Sequence, residues 1–335
     1  MSKVITFGEL LLRLSPERRL RLPQAERLSV CYGGAEANVA VSLSIFGEDA
    51  AFVSALPDNP VGEAALASLK KYGVDTGHVL RQGPRMGLYY LEQGASYRPS
   101  SVVYDRSGSS FARLSRDAFD WERIFADADW FHLTGITPAL GGELPALCMD
   151  ACAAAKKAGC KISFDPNHRK LLWDAKTAGE TIAPLLDFVD LLITNDGQAA
   201  DLFGLTPAED ETARPARSGE MAAELSARFH IPQIAMTLRT TLSSDENRWG
   251  ALLYERGGIF SSRIYDIRVT DRVGGGDSFA AGLIYALRCG ESPQAAIEFA
   301  TAASCLKLTI EGDCNLSSAA EVWSLARGGN SRLVR

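Results

Sequence analysis

"TDRVGGGDSFAAGL" (270–283) sets Gly274, Gly275 and Gly276 directly before Asp277, and small apolar residues at helical spacing follow at once. The strand-like run "FSSRIYDIRVT" (260–270) precedes it, so the glycines read as the turn from a strand into a helix N-terminus. Glycine reaches positive φ and lets backbone approach a ligand closely. The first N–H groups of a helix have no intrahelical partner and sit at the positive end of its dipole, which suits an anion. For a phosphoryl group in transfer, such amides stabilise the charge spread over its oxygens. An acid beside that anion has a purpose if it takes a proton, and Asp277 within reach of an attacking hydroxyl would be a general base. Helix capping is the other reading of the same aspartate, and the bare motif weighs the two equally. The pattern is neither a Walker A loop nor the dinucleotide GxGxxG, and it lies far from the first β-turn-α unit where the latter belongs.

Working outward, apolar patterning alternates between strand and helix. "KVITFGELLLRL" (3–14) reads as one buried strand, "AEANVAVSLSIFG" (35–47) as a helix ended by glycine, "DAAFVSAL" (49–56) as a strand and "NPVGEAALASLKKYG" (59–73) as a helix. The rhythm resumes from "ADWFHLTG" (128–135) through "LPALCMDACAAAKKAG", "CKISFDPN", "GETIAPLLDFV", "DLLITN", "ARSGEMAAELSARFH" and "IPQIAMTL". Two short strands follow around "RWGALLYERGGIFSSRIY", and the last third is helical. This predicts one α/β domain over 1–335, a mostly parallel sheet with helices on both faces. Two stretches break the rhythm, "RLRLPQAERLSVCYGG" (19–34) and the tyrosine- and arginine-rich segment 86–114. They predict a small β lid built from about 13–34 and 86–114. Segment 206–219 reads as a surface loop.

The chain has 335 residues, 46% hydrophobic and 23% charged, with a net charge of −6. That composition is globular and gives no electrostatic case for a nucleic-acid partner. The apolar N-terminal run is interrupted by Glu9 and lacks a cleavage site, and no run reaches the ~18 residues of a membrane span. No membrane association and a cytoplasmic location are therefore expected. The seven cysteines form no CxxC pair and read as reduced, structural thiols.

"DRVGGGDSFAAGL" resembles the signature of the ribokinase-like sugar kinases, the phosphofructokinase B family. "YGGAEANVAVSLSIFG" (32–47) is similar to that family's N-terminal signature, and the likeness runs over essentially the whole chain. It implies a doubly wound α/β body, a β lid and ATP-dependent phosphorylation of an alcohol. "SSVVYDRSGSS", "HLTGITPAL", "FDPNHRKLLW" and "KLTIEGDCNL" are similar to the 2-keto-3-deoxygluconate kinases, which phosphorylate a keto-deoxy sugar acid at C6. The resemblance implies Asp277 as base and the Gly274–Gly276 amides as an anion hole. It implies a sugar-acid site from Gly34, Asn38, Tyr90, Tyr104, Arg106, Ile136, Arg169 and Asp313, with the two arginines on the carboxylate. Asn167, Asn195, Thr237, Arg239 and Thr240 would face the nucleotide's phosphates and ribose, and Thr301 the adenine. ATP and Mg²⁺ are the implied cofactors, with or without a monovalent cation, and a homodimer or higher homo-oligomer through the lid is expected.

Some residues depart from the family's pattern. Where relatives often carry Asn-x-x-Glu, this chain has Asn195 and Gln198, so Mg²⁺ would rest on the ATP phosphates and water, with Asp196 or Asp201 nearby. Arg239 stands where relatives have a lysine-glycine stretch, and Arg272 where many have a small residue. A fructokinase-like kinase of a neutral sugar and a non-catalytic sugar-acid sensor are the alternative functions. His132 and His168 carry little weight, since Asp277 already fills the acid–base role.

Overall fold

The computed structural model describes residues 2–329. Fourteen strands run in chain order as β1 (Lys3–Phe7), β2 (Leu11–Pro16), β3 (Leu28–Gly33), β4 (Ala50–Leu56), β5 (Val79–Arg81), β6 (Gly87–Glu92), β7 (Ser101–Asp105), β8 (Ala128–Thr134), β9 (Lys161–Asp165), β10 (Leu191–Asn195), β11 (Gln233–Thr241), β12 (Glu246–Glu255), β13 (Gly258–Ser261) and β14 (Tyr265–Arg268). Ten of them form the body sheet, ordered β13-β12-β11-β10-β9-β8-β1-β4-β5 with β14 on β12. From β5 to β11 every pairing is parallel, and β12, β13 and β14 close one edge antiparallel.

Strands buried on both faces need apolar residues throughout, and "AAFVSAL" in β4 is buried at every position. Helices cover both faces. The core on one side contains residues of the helices Ala35–Phe46, Gly275–Arg288, Pro293–Lys307 and Ala319–Ala326. On the other side it contains residues of Leu144–Lys157, Ala175–Leu186 and Arg214–Phe229. The chain runs from β1 to β4 in one direction and returns to β8 on the other side of β1. Such a switch point leaves a crevice at the carboxyl ends of the strands. Among the described residues no helix is long and apolar enough to cross a membrane.

The single strand expected over 3–14 is two strands in different sheets. β1 ends at Phe7, Gly8 packs against the Glu36 carboxylate with no room for a Cβ, and β2 begins a second sheet at Leu11. That second sheet has the order β3-β2-β6-β7. It starts two residues before the predicted lid and ends at Asp105, so 106–114 carries no strand. Of the short strands expected around 248–265, β12 runs ten residues while β13 and β14 are four each, and the helix beginning at Arg214 takes the end of the predicted loop.

Candidate active site

A cleft of about 580 Å³ lies between the carboxyl ends of the body strands and the inner face of the small sheet. One wall is the glycine turn. Gly274 caps the helix Gly275–Arg288 in the left-handed region, at φ 82°, and Asp277 lies in the first helical turn. Asp277 accepts a 2.7 Å hydrogen bond from Asn38 Nδ2. Burial is the main force on its carboxyl and lifts it to about 7, with the Asn38 bond opposing and the neighbouring Asp165 adding to the rise. A carboxyl poised near 7 exchanges protons readily at neutral pH. The Asp277 side chain does not cap the helix, so the capping reading fails in this structure.

Two further carboxylates share this wall. Glu36 lies in the first turn of the helix Ala35–Phe46 and is buried. It accepts from the Thr134 amide and hydroxyl and from Thr137 Oγ1, while burial raises it to about 7. Asp165 ends β9, accepts from the Asn167 amide and is raised to about 6, again mainly by burial. Both line the cleft. Neither Asp165 nor Glu36 is among the residues that the sequence pointed to as site residues. The signal was present in the second case, because Glu36 lies inside "GGAEAN" between Gly34 and Asn38.

Of the residues expected on the acceptor side, Gly34, Asn38, Tyr104, Arg106, Ile136, Arg169 and Asp313 line the cleft. Tyr90 does not. Side chains alternate along a strand, and it is Tyr89 that faces inward, its hydroxyl bonded to the Asp313 carboxylate. Tyr90 sits on the other face in a cross-strand row with Val30, Leu14 and Val103. Arg106 is buried and gives Nε (2.8 Å) and Nη2 (2.5 Å) to Glu9, with its guanidinium over the Tyr104 ring at 5.6 Å. It therefore enters the site already half committed to a carboxylate. Asp313 is buried on Arg13 (Nη1, 2.6 Å) as well as Tyr89. Glu9, Arg13 and Tyr89 were missed, since a buried ion pair between distant segments leaves no local periodicity to read.

At the other end, Asn167, Asn195, Thr237 and Arg239 line the cleft, and Gln198 lies beside them with its side-chain oxygen bonded by the Thr194 hydroxyl at 3.1 Å. Thr240 does not join them. It falls on the opposite face of β11 from Arg239, and its hydroxyl donates to Glu211 at 2.7 Å. Thr301 is also excluded, being fully buried inside the helix Pro293–Lys307 with its hydroxyl on the Ile297 carbonyl. Helical spacing identified it as helical but could not tell its core face from a cleft face.

Three arginines, Arg214, Arg239 and Arg272, line this end, and Arg169 lies near enough to add its charge. Arg214 is held by Asp196 at 2.6 Å. The Arg239 guanidinium is pushed down by burial and by the positive charge of Arg272, Arg169 and Arg214. A crowd of like charges whose acid partners, Asp196 and Glu211, both sit on Arg214 is a site for a multiply charged anion. Asp196 is occupied by Arg214 and Asp201 by Lys170 at 3.0 Å. Among the described residues no cluster of three His, Cys, Asp or Glu side chains could hold a metal. His132 is a buried core histidine, pushed down to about 3 and bonded to Ser163.

Comparison with known proteins finds relatives along essentially the whole chain. The description of the pfkB family carbohydrate kinases matches residues 1–320. The 2-dehydro-3-deoxygalactonokinase of Haloferax volcanii is 31% identical over 100% of this chain and 99% of its own. The 2-dehydro-3-deoxygluconokinase of Bacillus subtilis is 29% identical over 92% of this chain and 90% of its own. The crystal structure of Thermotoga maritima 2-dehydro-3-deoxygluconokinase superposes with a TM-score of 0.95 at 44% identity, covering 98% of each chain.

Proposed function

Because this chain belongs to the pfkB family of carbohydrate kinases, we propose that it transfers the γ-phosphoryl group of ATP to the C6 hydroxyl of 2-keto-3-deoxygluconate or a close keto-deoxy sugar acid. The observation that carries this reading is the place of Asp277. It stands where the glycine turn, the arginine-rich end and the acceptor wall meet, bonded to Asn38 and raised to about 7. The names of the Haloferax, Bacillus and Thermotoga relatives support the choice of acceptor class.

In this scheme Asp277 takes the proton of the terminal hydroxyl as its oxygen bonds to the γ-phosphorus. The bond from phosphorus to the β,γ-bridging oxygen breaks and ADP leaves. The amides of the Gly274–Gly276 turn meet the charge on the phosphoryl oxygens. Arg239, Arg272 and Arg214 would hold the polyphosphate, with Asn167, Asn195 and Thr237 alongside. Mg²⁺ would be carried by the nucleotide's phosphates and waters. The small sheet would exclude water from the transfer. Its outer face exposes Val30 (58%) and Val103 (52%), and this row is the surface we assign to pairing with a second copy.

Arg169 would read the acceptor's carboxylate, since Glu9 already takes two of the Arg106 donors. Arg169→Ala is accordingly expected to lower kcat/KM for the keto-deoxy sugar acid about 10–100-fold, the worth of a charged hydrogen bond, and to leave a neutral sugar within about threefold. Equal losses on both would make Arg169 structural. A fructokinase-like preference for a neutral sugar is the second reading, and the Glu9 partner that half-neutralises Arg106 is the observation on its side.

A further inference from the structure

Lys307 ends the helix Pro293–Lys307, is fully buried, and has no part in the transfer scheme above. Its Nζ donates to two backbone carbonyls, Ile310 at 3.1 Å and Asp271 at 3.4 Å. An ammonium is costly to bury without counter-charge. The counter-charge here is the pair Asp271 and Asp313, which oppose the downward push of burial on Lys307. Arg13 from β2 spans the same two acids, 2.6 Å from each. The four buried charges balance two against two.

The position of this quartet matters more than its charge count. Asp271 opens the segment that enters the glycine turn, and its carboxylate also accepts from the amides of Val273 and Gly312, each at 3.1 Å. The Asp313 carbonyl packs against Gly274 so closely that a Cβ there would overlap it, and Lys307 Cε lies 3.2 Å from the same point. The lysine thus packs against the turn whose glycines line the cleft. A methionine would fill the same volume without burying charge, but it would leave two carbonyls unbonded and two carboxylates with one cation. Losing the lysine alone would therefore also cost stability, which is why the test below reads folding and catalysis separately.

We propose that Lys307 is a positioning residue for phosphoryl transfer. Its ammonium ties the segment entering the glycine turn, at Asp271, to the segment packed behind it, at Ile310, and so fixes the direction of the Gly274–Gly276 amides. This rests on the kinase reading given above, and its test separates the two.

The test compares Lys307→Met and Lys307→Gln with the wild type. Folding is checked by circular dichroism and thermal unfolding. Steady-state kinetics use whichever sugar the wild type phosphorylates. Calorimetry measures Mg-ADP alone and Mg-ADP with aluminium fluoride, a mimic of the planar phosphoryl group. In Lys307→Met, kcat is expected to fall about 10²-fold, as when one preorganised donor is lost, with both KM values within about threefold. The affinity gained from aluminium fluoride should fall by a similar factor while Mg-ADP binding holds. A folded variant with kcat and aluminium-fluoride affinity near the wild type overturns the proposal. So does a parallel loss in kcat, both KM values and Mg-ADP affinity, and so does failure of both variants to fold, since each marks Lys307 as a stability residue. A wild type inert on every sugar overturns the kinase reading instead, and the aluminium-fluoride comparison still decides the role of Lys307.

Discussion

Asp277→Asn is expected to lower kcat by about 10²–10⁴-fold, the range a positioned general base contributes, while KM for both substrates stays near the wild-type value. The asparagine keeps the shape of the side chain and can still bond to Asn38, but it cannot take a proton. The wild-type carboxyl sits near 7 mainly because the cleft desolvates it, and the base must be ionised to act. For the wild type, kcat/KM should therefore rise with pH and level off above about 7. The sign for stability is the opposite. A carboxyl raised on folding favours the folded state when protonated, and that advantage is lost as pH climbs from its ordinary value through about 7. Above that pH the asparagine variant should melt no lower than the wild type. A variant with near-normal turnover, or a wild-type profile flat from pH 5 to 9, would remove Asp277 as the base.

Gly274→Ala should be nearly as damaging, for a steric reason. Gly274 sits at φ 82°, where a Cβ is strained, and the new methyl would overlap the Asp313 carbonyl. Either the turn or the segment behind it must move, and the amides lose their aim. A loss in kcat of about 10²–10³-fold is expected, the usual effect of removing a preorganised donor. Gly276→Ala makes the contrast, because a Cβ there meets no protein atom within 4 Å. Its melting temperature should match the wild type, whereas that of Gly274→Ala should fall. Thermal unfolding of the two variants side by side checks this, and equal melting temperatures would contradict the steric account.

The body of the fold was legible because its signals are local. Glycine ends the helix Ala35–Phe46 at Gly47 with φ 100°, and asparagine caps the next helix from position 59, as their positions in the sequence suggest. The glycine turn was legible for the same reason. What escaped was set by long-range packing. "KVITFGELLLRL" has one continuous apolar pattern, yet its two halves enter different sheets, with Gly8 packed on Glu36 between them. Tyr89 and Tyr90 are chemically alike, and only strand register decides that Tyr89 reaches Asp313 while Tyr90 joins Val103 outside. The Arg106–Glu9 and Arg13–Asp271 pairs join residues 97 and 258 positions apart. Thr301 matched a nucleotide-facing position by resemblance, but its side of the helix belongs to the core.

The most direct test of the central claim is ADP release from Mg-ATP by the wild-type protein, offered 2-keto-3-deoxygluconate, its galactonate epimer, fructose and ribose in turn. The account predicts strong turnover with one or both keto-deoxy sugar acids and at most weak turnover with the neutral sugars. Turnover confined to fructose or ribose would contradict the carboxylate-reading role of Arg169 while sparing Asp277. No turnover with any of the four, alongside calorimetric binding of 2-keto-3-deoxygluconate, would contradict the kinase assignment itself and favour a sensor.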